Sequence, residues 1–287
     1  TTAMEDYQHT ISQFNSSTDG FPLFYQQWLP EKKERIIVFQ HGLGEHSGRY
    51  QNLIQAFART STAFYALDDR CLCRTNGKRG LVFPCHLFVS DLHDLIRRVQ
   101  QENDGQKVFL LGLSMGGAIV LKYAITDDYQ DHLHGLIASS PAIKPAMDWI
   151  KKLQKPMATL LARLTPSLTL DNQLNVNDLS HHELVVMSYQ NDPLVHSKAS
   201  ARLGDALFNV HKDILSRASS LHIPVYLMHG TADRLTDPQG TQQFYNSLTT
   251  TDKTLKLYEG LYHETMNERP EDRVRVLDDL KSWVLSH

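Results

Sequence analysis

The sequence predicts an α/β fold: a mostly parallel central sheet with helices on both faces and an inserted, mainly helical cap. Two observations carry this. Short apolar, strand-like runs alternate with helix-like segments through residues 35–140 and again through 224–286, the rhythm that strand–helix–strand units produce. Residues 141–220 break the rhythm, with Pro141, Pro145 and Pro156 punctuating the start. The 287-residue chain therefore divides into a core of residues 1–140 and 221–287 and a cap of residues 141–220.

The elements follow in order. Phe21 to Leu29 reads as an antiparallel lead-in strand, and Arg35-Ile36-Ile37-Val38-Phe39 as the next strand, ending in a glycine-rich loop, Gln40-His41-Gly42-Leu43-Gly44. Phe88, Leu92, Leu95, Ile96 and Val99 share one helical face. Lys107 to Leu111 is a buried strand, and Ala118 to Ala124, free of Gly and Pro, suits a helix. Pro224 to Met228 and Thr254 to Tyr258 are two further strands. Pro270, followed by Glu271 and Asp272, opens a last helix whose buried stripe is Val276, Leu277, Leu280, Trp283 and Val284.

Composition fits a soluble enzyme. Hydrophobic residues make up 41% of the chain, enough for a sizeable core. A formal charge of −3 offers no electrostatic case for nucleic acid. No stretch is long and apolar enough to span a bilayer, and the polar start, Thr1 to Gln8, lacks a signal-peptide core. Three cysteines argue against a disulfide framework and for a reducing, cytoplasmic compartment. Cys71, Cys73 and Cys85 with His86 match no standard zinc spacing, so free thiols are expected and no metal.

The chemistry centres on Gly112-Leu113-Ser114-Met115-Gly116, followed by Gly117. A serine on a sharp strand-to-helix turn is a nucleophile elbow. The helix that starts beneath it turns amide N–H groups and its positive dipole end toward any negative charge formed there. A serine hydroxyl needs an imidazole base, and the imidazole needs a carboxylate to set its tautomer. In α/β-hydrolases these follow in the order serine, acid, histidine, each on a loop after a strand. Asp233, after Pro224 to Met228, and His263, after Thr254 to Tyr258, occupy those places. Asp237 is the nearest rival acid, but beside Pro238 it reads better as a helix N-cap. The amides of Met115 and Leu43 are the expected oxyanion donors.

His41-Gly42-Leu43-Gly44-Glu45-His46-Ser47-Gly48-Arg49-Tyr50 resembles a signature of the monoacylglycerol lipases and their bacterial lysophospholipase relatives. So do the elbow, Asn191-Asp192-Pro193-Leu194, Gly230 to Leu235, and Lys253 to His263. The resemblance runs from about residue 10 to the end. It implies an α/β-hydrolase fold with an inserted cap and a Ser114, Asp233, His263 triad. It also implies Glu45 and Arg49 near a glycerol pocket, although a charged pair four residues apart equally suits a surface helix start.

The activity implied is that of a serine ester hydrolase cleaving single-acyl lipids, monoacylglycerol or lysophospholipid, through an acyl-enzyme and without a cofactor. The partners implied are a small lipid ester and, peripherally through the cap, a membrane. A generalist carboxylesterase or peptidase of the same fold, or a non-catalytic ligand-binding protein that keeps the fold, stays open. In the cap, Met157, Leu160, Leu161, Leu164, Leu168 and Leu170 lie beside Lys151, Lys152, Lys155 and Arg163. They read either as cap packing or as an apolar lip that admits acyl chains and touches lipid through its basic flank.

The chain departs from the family pattern at two places. Cys71-Leu72-Cys73 stands where relatives usually carry Gly-His-Gly, and Leu113 where they commonly carry histidine. Losing both members of a buried polar pair can be nearly neutral, whereas losing one is costly. Leu72 and Leu113 are therefore expected in contact behind the elbow, with residues 69–76 on a different path from the family's loop.

Overall fold

The computed structural model describes residues 6–70, 85–144, 169–171 and 174–287. Its centre is an eight-stranded sheet in the order β1-β2-β4-β3-β5-β6-β9-β10. These strands are β1 (Gln8–Asn15), β2 (Pro22–Leu29), β3 (Arg35–Gln40), β4 (Thr62–Asp68), β5 (Val108–Leu113), β6 (Leu133–Ser139), β9 (Val225–Gly230) and β10 (Lys253–Tyr258). β2 pairs antiparallel with β1 and β4, and every other pairing in the sheet is parallel. The expected lead-in strand is β2. β1 was not anticipated: Gln8 to Asn15 is mostly polar, and on this edge strand Ile11 is exposed while Phe14 is buried.

The inner strands β3, β4, β5, β6 and β9 are largely apolar because both faces are covered. In β3, Ile36 and Val38 enter one core while Ile37 and Phe39 enter the other, as successive side chains must. Helices α2 (Cys85–Glu102), α3 (Met115–Ala124), α5 (Ala201–Arg217) and α6 (Pro238–Ser247) cover the Val38 face through Leu92, Ala118, Ile214 and Phe244. Helices α1 (Gln51–Ala56) and α7 (Pro270–Ser286) cover the Phe39 face through Leu53 and Val276. The stripes expected on α2 and α7 are the buried ones.

Within residues 141–220 lie α4 (Glu183–Asn191), α5 and a small antiparallel ribbon of β7 (Thr169–Asp171) and β8 (Lys198–Ser200). The Met157 to Leu168 stripe, its basic flank, and Cys71, Leu72 and Cys73 lie outside the described residues. The expected contact between Leu72 and Leu113 lies there too. Among the described residues, no helix is long and apolar enough to cross a membrane.

Candidate active site

The site forms at the carboxyl ends of the parallel strands, where open α/β sheets bind ligands. Ser114 follows β5 and caps α3 with φ 58° and ψ −118°, a strained conformation for a residue with a side chain. The neighbouring glycines are what let the turn close. A Cβ on Gly112 would lie 2.2 Å from the Gly116 carbonyl oxygen, and one on Gly116 would lie 2.3 Å from that of Gln40. The Met115 amide that follows is in the first turn of α3, where N–H groups have no partner inside the helix.

β9 and β10 deliver the other two groups. His263 Nδ1 donates to Asp233 Oδ2 at 2.7 Å, with both side chains buried. That bond leaves Nε2 of His263 as the nitrogen free to act as a base. Asp233 is itself tightly held. Oδ1 accepts the amides of Leu235 and Thr236 at 2.8 and 3.1 Å, and Oδ2 accepts the Thr236 hydroxyl at 2.9 Å and His229 Nε2 at 3.0 Å. Burial works against charge on both members of the pair. Their mutual attraction outweighs it, so the Asp233 carboxyl sits well below the usual carboxylate range and the His263 imidazole above its ordinary value. Asp237 caps α6, its side chain accepting the Gln239 amide at 2.9 Å.

The loop after β3 is braced from both sides. His41 Nε2 accepts the Asp69 amide at 3.0 Å, which makes Nδ1 the protonated nitrogen, and Nδ1 donates to the Gly42 carbonyl at 2.7 Å. Glu45 Oε1 accepts the Gly42 amide at 2.6 Å and the Tyr50 hydroxyl at 2.8 Å. Arg49 pairs with Glu45 and forks onto Glu264 at 2.8 and 2.9 Å, its guanidinium 4.6 Å from the Tyr189 ring centre. Burial opposes the charge on Glu45, but Arg49 and the Gly42 amide hold its carboxyl below the ordinary range. Glu45 and Arg49 thus form an interior pair, not a surface one.

Ser114, His263 and Glu45 meet at a cavity of about 720 Å³, counting space open to solvent, whereas Arg49 and Asp233 are not among the residues that line it. Leu43, Leu113, Met115, Ala142, Leu174, Leu179 and Leu235 make most of its wall apolar. Ser114, His263, Glu45, Glu264, Thr236 and Tyr189 supply the polar groups. Leu113, the residue just before Ser114, thus adds to the apolar wall. His229, Thr236, Tyr189 and Glu264 were not picked out from the sequence. His229 had one available signal, its place at the end of β9, four residues before Asp233.

A family model described as "Serine aminopeptidase, S33" matches residues 31–270. A monoacylglycerol lipase of Mycolicibacterium smegmatis is 34% identical over 93% of this chain and 94% of its own length. The chain belongs to this family of α/β-hydrolases, which it shares with monoacylglycerol lipases. As a member of the family it is a carboxylic ester hydrolase. The monoglyceride lipase of Rattus norvegicus, a further relative, is 33% identical over 98% of this chain and 90% of its own length. The crystal structure of the Paleococcus ferrophilus monoacylglycerol lipase superposes with a TM-score of 0.82 at 31% identity, covering 98% of this chain and 99% of that one.

Proposed function

We propose that this hydrolase cleaves single-acyl lipids, monoacylglycerol first among them, through an acyl-enzyme on Ser114. The observation that carries the reading is the buried 2.7 Å pairing of Asp233 with His263, on a largely apolar cavity that Ser114 also lines. His263 Nε2 takes the Ser114 proton as Oγ attacks the ester carbonyl. The amides of Met115 and Leu43 hold the oxyanion. His263 then passes the proton to the departing glycerol oxygen, and a water activated by the same nitrogen releases the fatty acid. The likeness to a monoacylglycerol lipase and a monoglyceride lipase supports the substrate class. The apolar wall supports an acyl chain, each buried methylene contributing about 0.8 kcal/mol.

The cap that we propose over this site, residues 141–220, includes α4. Tyr189 and Val186 are buried on its inner side, while Leu184 and Met187, 64% and 53% exposed, stand one turn apart on its outside. Such a helix supports membrane contact through the cap, close to the cavity that Tyr189 lines. The test is a substrate panel on the purified chain: 1-monooleoylglycerol, lysophosphatidylcholine, p-nitrophenyl esters and an aminoacyl amide. The largest kcat/KM is expected on monooleoylglycerol, with fluorophosphonate labelling at Ser114. A preference for the aminoacyl amide would overturn the lipid reading, and labelling at another serine would overturn the mechanism.

A further inference from the structure

Glu268 is wholly buried near the active site but stands outside the residues that line the cavity. It follows the 3₁₀ turn Thr265–Asn267, just beyond His263. Its Oε1 accepts the Tyr262 amide at 2.8 Å and His181 Nδ1 at 2.9 Å, while Oε2 accepts the His181 amide at 2.9 Å. A buried carboxylate is tolerated when donors fill it. Here the donors come from two stretches far apart in sequence, the His263 loop and the segment that leads into α4.

Other contacts join the same two stretches. The Glu264 amide donates to the Leu179 carbonyl at 2.8 Å, and the Ser180 hydroxyl donates to the Asn267 carbonyl at 2.9 Å. The rings of His181 and Tyr262 stack with centres 3.6 Å apart. Tyr262 immediately precedes His263, whose own carbonyl accepts the Ser140 hydroxyl at 2.8 Å. The backbone of His263 is therefore held on its amino side through Glu268 and on its carboxyl side through Ser140, while Asp233 holds the ring.

We propose that Glu268 is a positioning residue: a buried carboxylate that sets the His263 loop against residues 179–181 and so keeps the imidazole in line between Asp233 and Ser114. This rests on His263 being the base. Because Glu268 acts on the placement of that base and does not touch substrate, its loss falls on kcat and spares KM. A misplacement of about 1 Å can cost about 100-fold in rate.

The experiment compares Glu268→Ala and Glu268→Gln in the full chain, below their melting temperatures, on a short water-soluble ester. Val99→Ala, in the core contact of α2, controls for lost stability, and His263→Ala controls for the base assignment. Glu268→Ala is expected to lower kcat by about 10- to 100-fold with KM within about twofold, and to slow fluorophosphonate labelling in parallel. Glu268→Gln keeps an acceptor oxygen for one of the two amides, that of Tyr262 or that of His181, and turns an NH2 group toward the other, so its kcat is expected between those of Glu268→Ala and the wild type.

A folded Glu268→Ala protein with wild-type kcat and labelling rate overturns the proposal. So does a kcat loss no larger than that of Val99→Ala at equal loss of melting temperature, or a change in KM alone. If Glu268→Ala does not fold, a wild-type kcat in Glu268→Gln overturns it. An active His263→Ala protein would instead overturn the base assignment. An inactive His263→Ala beside a fully active Glu268→Ala overturns the positioning role alone.

Discussion

Asp233 serves two imidazoles, His263 and His229, with one carboxylate oxygen, while its other oxygen is filled by two backbone amides. That arrangement carries a pH prediction. In the proposed mechanism His263 takes the Ser114 proton only when neutral, and its pKa is raised above the ordinary imidazole value, which is about 6.5. The acid limb of kcat/KM is therefore expected above about pH 6.5. Asp233→Asn removes the charge that favours the imidazolium, so the limb of its residual activity should move to lower pH. A limb that stays in place, followed by stopped-flow hydrolysis from pH 5 to 9, would show that another group titrates. Ser114→Ala should lower ester hydrolysis on the order of 10³-fold or more while leaving the far-UV circular dichroism unchanged. Near-normal turnover in that folded variant would remove Ser114 from the mechanism. Arg49 makes a third residue-scale case. It sits between two buried carboxylates, so Arg49→Leu leaves both uncompensated and is expected to cost about 3–5 kcal/mol in urea unfolding. A loss under about 1 kcal/mol would mean that water or protonation replaces the guanidinium.

At the scale of elements, α3 is buried on almost every side, as an apolar all-round helix must be. Its close approach to the loop after β3 depends on Gly116, where a Cβ would meet the carbonyl oxygens of Gln40 and His41 at 2.3 and 2.4 Å. In an exposed helix Gly→Ala stabilises by about 1 kcal/mol. Gly116→Ala should do the reverse, lowering the melting temperature and activity together, because the contact atoms are backbone and must move apart. An unchanged melting temperature in a scanning-calorimetry trace would refute that close packing. The alternation of strand and helix was legible because burial on both faces leaves continuous apolar runs, as in β3 and β5. β1 was not, because an edge strand faces solvent and its pairing with β2 needs no apolar signature. Asp237 was legible as a cap because capping is a local matter of one side chain and the next two amides.

For the molecule as a whole, the exposed pair Leu184 and Met187 lies on the outside of the helix whose Tyr189 lines the cavity. Replacing both with serine should weaken sedimentation with phosphatidylcholine–phosphatidylglycerol vesicles by several-fold and lower turnover of vesicle-borne monooleoylglycerol. Turnover of a short soluble ester should change little. Equal losses on both substrates would place the pair in folding or catalysis and not in membrane contact. The sequence by itself determined the fold class, the elbow at Ser114, and the strand ends that carry Asp233 and His263. Those features are written in local composition: apolar runs, glycines where backbones crowd, and polar residues just past a strand. Only the tertiary structure decided that Arg49 forks onto Glu264, 215 positions away. It likewise decided that Glu268 joins the His263 loop to residues 180–181. Partners brought together by chain crossings leave no mark in either neighbourhood, since each side chain meets the group that satisfies it only after the sheet has assembled.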